Sequence, residues 1–365
     1  MQKNYPDEEL IELQKNIIKK NQNDYELRKK PVPFSTAYDI MDPRYYAQMK
    51  NAGIAFKFLT KAPTNTVLRT KPIIKKLFDS NKSKRIFEAE LNITDFSIFT
   101  STHAIPVRFY QHDKQNRPLL IYIHGGGFFA GTIDSVNEIC YSLACLGNMN
   151  VLSIDYRLSP EFKFPSAIHD CITVIDYVWN HPEDFYINPA SIYLSGDSAG
   201  GNLVLATLLK EKEYKQSRIS KAVLIYPVTN LASPEVGGYQ WDSSYYEMKT
   251  SQKKVIIDTI SLGRVVGLLV SKLYLSKDIH PTNPFVSPLL ADLNDLPPLL
   301  VIYGQYDFLR IEIEALLKKL ATTNTSVEAI EYLGLGHGFA EYIGTFSQTE
   351  DAFNEMTLFF NRKVD

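Results

Sequence analysis

The residues Gly196-Asp197-Ser198-Ala199-Gly200 contain a Gly-x-Ser-x-Gly motif. An apolar run at 192–194 precedes the motif, and an apolar helical pattern at 203–209 follows it. In a turn between a strand and a helix, small flanking residues allow a tight bend that exposes the serine hydroxyl as a nucleophile. The motif alone is also compatible with an ordinary Gly-rich turn. Ser198 is therefore a candidate nucleophile that needs supporting residues elsewhere.

A second Gly-rich loop, His124-Gly125-Gly126-Gly127-Phe128, follows the apolar run 119–123. A serine that attacks a carbonyl group needs donors for the oxyanion that forms, and glycines let backbone amides approach the substrate closely. No Lys-Ser or Lys-Thr follows the loop, and no Gly-x-Gly-x-x-Gly opens a helix, which excludes a phosphate-binding loop. We expect His124 to support the oxyanion loop by hydrogen bonding, together with Gly125.

A base and an acid for the serine lie further along the chain. His337 lies in a Gly-rich loop, 334–339, directly after the last strand-like run, and Asp307 follows the apolar run 299–303. Each of the two alone could equally be a surface or structural residue. Together they lie at strand ends in the chain order Ser, Asp, His that α/β-hydrolases use. The pattern predicts that His337 accepts the serine proton and that Asp307 orients His337.

The elements around these residues predict the fold class. Short apolar runs alternate with helical patterns from residue 119 onwards, which is typical of an α/β protein with a mostly parallel central sheet and helices on both faces. The earlier segments 96–99 and 105–110 read as antiparallel strands. Ligands of such sheets bind at the carboxyl ends of the strands, where all the candidate residues lie.

Two segments stand outside the alternation. Residues 1–85 are Lys-rich and are predicted to be a helical segment that forms part of a cap; residues 1–90 hold 18 Lys and Arg against 11 Asp and Glu. Because these charges are dispersed, a solvated face is favoured over a docking surface. We expect residues 86–365 to form the catalytic domain, with a cap insertion at about 228–285, in a stretch too long for a structureless loop.

Bulk composition excludes several function classes. The formal net charge of −2 indicates no nucleic-acid partner, so a small-molecule substrate is expected. The three cysteines show no metal-site spacing, which favours free thiols in a reducing compartment. No apolar core of a signal peptide and no membrane-spanning run is found, so we expect a cytoplasmic protein without an integral membrane segment, and a homodimer is possible.

These motifs together resemble the hormone-sensitive-lipase-like branch of the α/β-hydrolases over about residues 85–365. The resemblance rests on a series of motifs in family order: His-Gly-Gly-Gly-Phe at 124–128, Asp155-Tyr156-Arg157-Leu158-Ser159-Pro160-Glu161, Gly196-Asp197-Ser198-Ala199-Gly200-Gly201-Asn202, Ser287-Pro288-Leu289, Asp307-Phe308-Leu309-Arg310 and His337-Gly338-Phe339. The chain departs from the family at Phe308, where a proline is usual, and at Ile311, where an acidic residue is common.

The resemblance implies a serine carboxylesterase, lipase-like in its motifs, that hydrolyses esters with short to medium acyl chains. It assigns the oxyanion donors to the amides of Gly126, Gly127 and Ala199, and it implies no cofactor and no metal. Two alternatives stay open: a deacetylase of an acetylated metabolite, and a non-catalytic small-ligand binding protein. Relatives of the second kind lose the catalytic histidine, whereas His337 is present here.

Overall fold

A ten-stranded, mostly parallel sheet forms the centre of the computed structural model, which describes residues 3–22, 25–50, 75 and 82–362. Its strands are, in chain order, β1 (Ile18–Gln22), β2 (Tyr25–Lys30), β3 (Asn92–Phe99), β4 (Ala104–Gln111), β5 (Arg117–Ile123), β6 (Asn150–Ile154), β7 (Ile187–Asp197), β8 (Lys221–Ile225), β9 (Leu299–Gly304) and β10 (Val327–Tyr332). Their order across the sheet is β1-β2-β10-β9-β8-β7-β5-β6-β4-β3. The strands from β5 to β10 are mutually parallel, as the alternation of apolar runs predicts.

The central strands are buried along nearly their whole length. Every residue of β6, β8 and β9 is buried. Such strands read as continuous apolar runs because helices cover both faces of a parallel sheet. The strands expected at 96–99 and 105–110 form the antiparallel pair β3 and β4, which closes one side of the sheet.

The helices occupy both faces of the sheet. They are α1 (Glu8–Lys15), α2 (Asn137–Gly147), α3 (Ser166–Asn180), α4 (Ala199–Glu213), α5 (Lys253–Tyr274), α6 (Arg310–Leu320) and α7 (Ser347–Asn361). Helix α2 packs against α7, and α3 packs against α4. The fold class is therefore the α/β architecture that the sequence predicts.

The N-terminal segment differs in part from its predicted helical form. Helix α1 is helical, but β1 and β2 form a hairpin whose second strand pairs in parallel with β10. The side chains of Tyr25 and Leu27 enter the hydrophobic core. Pairing with an exposed sheet edge satisfies a row of backbone groups, and this gain overrides the local polar composition. Residues 51–74 and 76–81 of the same segment lie outside the described residues.

A buried ion-pair network ties this hairpin to the last helix. Lys30 is fully buried, and its Nζ lies 2.6 Å from Oδ2 of Asp351 and 2.6 Å from Oε1 of Glu355 on α7. The hydroxyl of Tyr332 on β10 donates to the same Asp351 carboxylate at 2.6 Å. A buried cation needs anionic partners, because removing it from water costs roughly several kcal/mol.

The insertion between β8 and β9 contains α5, which corresponds to the apolar helix expected in the cap. In the part of the chain that the structure describes, neither α5 nor any other helix is long and apolar enough to cross a membrane.

Candidate active site

Ser198 lies at the turn between β7 and α4, where strand and helix approach closely. Its backbone has φ 54° and ψ −115°, a strained conformation for a residue other than glycine. A Cβ atom at Gly200 would lie only 2.0 Å from the carbonyl oxygen of Ile123. Glycine at this position therefore allows the tight turn that the Gly-x-Ser-x-Gly motif predicts.

Three side chains from three loops form one hydrogen-bonded chain. The Oγ of Ser198 lies 2.9 Å from Nε2 of His337. The Nδ1 of His337 lies 2.9 Å from Oδ2 and 3.1 Å from Oδ1 of Asp307. The loops follow β7, β10 and β9, so the parallel sheet brings the residues together at the carboxyl ends of its strands. A nucleophile, a base and an orienting acid need this arrangement.

The Asp307 carboxylate is fully buried and held on several sides. Its Oδ1 accepts the backbone N–H of Leu309 at 2.8 Å. The hydroxyl of Tyr246, which comes from the insertion, donates to the backbone carbonyl of Asp307 at 2.8 Å. The insertion therefore helps to hold the acid.

The surroundings of His337 favour its protonated form. Burial lowers the pKa of the imidazole, but the charge of Asp307 and the hydrogen bond to it raise the pKa. The carboxylates of Glu341 and Asp197 raise the pKa further, and the net result is a pKa above the ordinary value for histidine. The ring of Phe308 lies 4.5 Å from the imidazole, at the position where the family usually has proline. Such a site stabilises an imidazolium once the ring has taken up a proton.

The loop after β5 contains two glycines at positive φ. Gly126 has φ 111° and Gly127 has φ 62°, values that glycine adopts readily. Ala199 is the first residue of α4, where helix amides have no partner within the helix. Among the described residues, none accepts a hydrogen bond from the amides of Gly126, Gly127 or Ala199. The family resemblance implies that these three amides are the oxyanion donors.

His124 and Gly125 support this loop from beneath. The Nδ1 of His124, which is fully buried, donates to the Gly125 carbonyl at 2.7 Å. The ring of Tyr156 stacks on His124 with centroids 4.3 Å apart, and the Tyr156 hydroxyl donates to the His124 carbonyl at 2.9 Å. Both residues therefore lie where loop support requires them.

Asp197, for which the sequence motifs predict no role, also supports the loop after β5. Its Oδ1 accepts the N–H of Gly125 and the hydroxyl of Tyr122, each at 2.9 Å. Burial and the charge of Glu341 raise the Asp197 pKa to about 6, against the lowering by these two hydrogen bonds. The only signal in the sequence is its place directly before the serine at the end of a strand.

Asn202, the last residue of the serine motif, holds both ends of the insertion. Its Nδ2 donates to the carbonyl of Val228 at 2.9 Å and to that of Val286 at 3.2 Å. These two residues bracket the stretch expected to form the cap. The side-chain amide of Asn202 thus links the serine turn to both ends of the insertion.

The second half of α5 lies against the oxyanion loop. The ring of Tyr274 stacks on Phe128 with centroids 3.9 Å apart and an angle of 7°. A Cβ atom placed at Gly127 would lie 2.9 Å from Cγ2 of Val270. The insertion therefore contributes apolar side chains directly beside the predicted oxyanion donors.

Comparisons with known proteins identify the family of this chain. A family model described as the α/β-hydrolase fold matches residues 120–341. An arylesterase of Saccharolobus solfataricus is 31% identical over 247 residues, covering 67% of this chain and 76% of the relative. An acetyl esterase of Salmonella dublin is 28% identical over 281 residues, covering 73% and 81%.

A solved structure agrees over a larger part of the chain. The hyperthermophilic esterase from the archaeon Pyrobaculum calidifontis has a TM-score of 0.69 and 27% identity, covering 88% of this chain and 98% of that one. The family model alone spans more than half of the residues. The chain belongs to the α/β-hydrolase family, in the hormone-sensitive-lipase-like branch of serine carboxylesterases.

Proposed function

We propose that this protein hydrolyses carboxylic esters with short to medium acyl chains through a Ser198–His337–Asp307 triad and an acyl-enzyme intermediate. The continuous hydrogen-bonded chain from the Ser198 hydroxyl to the Asp307 carboxylate carries this proposal. A serine hydroxyl is a weak nucleophile at neutral pH and needs a base within hydrogen-bond reach.

In the first step Oγ of Ser198 attacks the ester carbonyl carbon while Nε2 of His337 takes up the hydroxyl proton. Asp307 stays ionised and stabilises the imidazolium that forms. The negative charge on the carbonyl oxygen is bound by the amides of Gly126, Gly127 and Ala199, which act at short range on the charge that develops there. His337 then gives its proton to the leaving alkoxide, so the alcohol departs and the acyl group remains on Ser198.

In the second step water attacks the acyl-enzyme. His337, neutral again, accepts a proton from the water, and the same three amides bind the second oxyanion. Return of the proton to Oγ of Ser198 releases the carboxylic acid. No cofactor or metal takes part in this scheme.

Two observations support esters of modest acyl length. The relatives include proteins named arylesterase and acetyl esterase. The α5 side chain Val270 lies close to the oxyanion loop, which limits the space beside the reacting carbonyl. Deacetylation of an acetylated metabolite remains the second candidate, because an acetyl esterase is among the relatives and the same triad would serve it.

The test combines a nucleophile variant with a substrate series. Ser198→Ala should lose hydrolysis of p-nitrophenyl acetate and labelling by a fluorophosphonate. Ser195→Ala is a matched control, because Ser195 lies three residues earlier in buried β7 and outside the triad. Full activity in Ser198→Ala would overturn the proposal. Rates over p-nitrophenyl esters of graded chain length, compared with acetylated alcohols and amines, separate a general esterase from a deacetylase.

A cytoplasmic location and a homodimer stay proposals as well. Light scattering of the purified full chain tests the second, and fractionation of the producing cells tests the first.

A further inference from the structure

Residues 82–84 of the Lys-rich N-terminal segment bind the loop that carries the candidate base. The Nζ of Lys82 lies 2.5 Å from Oε2 of Glu341. The hydroxyl of Ser83 donates to the Glu341 carbonyl at 2.7 Å. The N–H of Lys84 donates to the carbonyl of Ile343 at 3.0 Å. Two neutral hydrogen bonds and one ion pair thus join the 82–84 segment to the residues just after His337.

The Lys82 side chain points inward rather than into solvent. Its side chain is 24% exposed, the same fraction as that of Glu341. Its ammonium also lies 5.5 Å from the centre of the Tyr342 ring. A lysine on a solvated face, which the dispersed charges of this segment favour, would be largely exposed. Like the fully buried Lys30, Lys82 therefore departs from a solvated face, in a segment that the proposed function otherwise leaves without a role.

A second part of the same segment contacts the base and acid loops. The hydroxyl of Tyr45 donates to the backbone carbonyl of His337 at 3.3 Å. The side-chain amide of Gln305, two residues before Asp307, donates to the carbonyl of Tyr38 at 2.6 Å. The N-terminal segment thus contacts the backbone of His337 and the side chain of Gln305.

Three carboxylates act electrostatically on the His337 imidazole. Asp307 comes from the loop after β9, Asp197 from the end of β7, and Glu341 from the loop of His337 itself. Lys82 is a cation close to these carboxylates. Burial lowers the pKa of its ammonium, but the charges of Glu341 and Asp197 raise it, and the net result is a raised pKa. The uncharged Ser198 hydroxyl bonds to the imidazole, and the rings of Phe308 and Tyr226 lie 4.5 Å and 4.8 Å from it, while the Tyr45 hydroxyl binds the His337 backbone carbonyl.

We propose that Lys82 and Glu341 form a positioning pair that holds the His337 loop in place and balances the negative charge around its imidazole. This inference rests on the proposed function, because it makes the two residues act through His337 and not on the substrate. Glu341 adds a negative charge that favours the imidazolium, and Lys82 offsets that charge. The Lys-rich segment is then a part of the active site, and docking of a separate partner is not its main task.

The two charges should have opposite effects on the titration of His337. Glu341→Gln removes a carboxylate and should lower the midpoint of the acid limb of kcat/KM against pH. Lys82→Met leaves Glu341 without its cation and should raise that midpoint. Each shift should be on the order of half a pH unit, as expected for a charge several ångströms away in a partly exposed site. The double variant should return close to the wild-type midpoint, and Lys82→Arg should restore it.

The same titration can be followed without turnover. In protein labelled with ¹⁵N-histidine, the His337 ring signals, assigned with the His337→Asn variant, should report the same opposite shifts. This readout separates the two proposals: a protein inert to every ester but with the predicted NMR shifts would refute the esterase function and leave the positioning pair intact.

Lys84→Met is the matched control, because the Nζ of Lys84 binds Asn4 and not Glu341. It should leave the midpoint unchanged. If Glu341→Gln and Lys82→Met both lowered kcat without moving either midpoint, or moved both in the same direction, the inference would be refuted. Should Lys82→Met fail to fold, Glu341→Gln and Lys82→Arg, which keep the size or the charge of the side chain, still decide the question.

Discussion

Replacement of Asp307 by asparagine should cost about 10⁴-fold in kcat. Asp307 is buried and lies 2.9 Å from Nδ1 of His337. At that separation, with an effective dielectric constant of about 20, the attraction between carboxylate and imidazolium is about 6 kcal/mol. About 1.4 kcal/mol corresponds to a factor of ten in rate, so loss of this attraction lowers kcat by roughly four orders of magnitude. Asparagine can also donate to Nδ1 and hold the wrong tautomer, and in serine proteases this replacement costs about 10⁴-fold.

The assay is hydrolysis of p-nitrophenyl acetate at pH 7, with kcat and KM measured separately. We expect KM to stay within a few-fold, because Asp307 does not touch the substrate. Tyr246→Phe is the control: it removes a hydrogen bond to the Asp307 backbone and leaves the carboxylate, so its loss should be far smaller. Asp197 is the rival acid, since it is also buried beside Ser198. If Asp307→Asn retained most of its turnover while Asp197→Asn lost four decades, the assignment of Asp307 would be wrong.

Three further predictions concern pH, the oxyanion loop and stability. His337 must be neutral to act as base, and its pKa is raised, so kcat/KM should fall as the pH drops through a midpoint above about 6.5; a midpoint well below 6 would contradict this. Gly127 has φ 62°, and the Cβ atom added by Gly127→Ala would lie 2.9 Å from a side chain of α5. This variant should lower kcat by about 10²–10³-fold with the fold retained, as judged by circular dichroism. Near-normal kcat would show that Gly127 is not an oxyanion donor. Lys30→Met leaves the buried Asp351 without its cation and Glu355 with Arg28 alone, and should lower the free energy of unfolding in urea by about 3–5 kcal/mol. The triple change to methionine, asparagine and glutamine at these positions should recover much of that loss, and equal loss in both variants would show that charge is not the cause.

The sequence predicted the sheet well where strands are buried on both faces. In β8 and β9 the apolar run is continuous, so composition alone marks a central strand. It did not reveal β1 and β2, because a Lys-rich edge hairpin has no such run. Their conformation depends on pairing with β10, about 300 residues away in the chain.

The candidate site likewise contains some residues that motifs predict and others that only long-range contacts identify. Ser198, Asp307 and His337 could be chosen from motifs, because each chemical role needs a particular residue type at a strand end. The roles of Asp197 and Asn202 could not be predicted from the sequence. Their side chains act on backbone groups 72 and 84 residues away, and no local pattern records such contacts.

By itself the sequence determined the fold class, and it predicted a nucleophile, an acid and a base in chain order and a loop that offers backbone amides. These depend on residue type and on local spacing, which the chain carries within a few residues of each motif. Only the tertiary structure decided that the N-terminal segment extends the sheet, that Lys82 turns inward to Glu341, and that α5 lies against Gly127. Each of these follows from burial and pairing between segments distant in the chain, where the free energy is set by the partner and not by local composition.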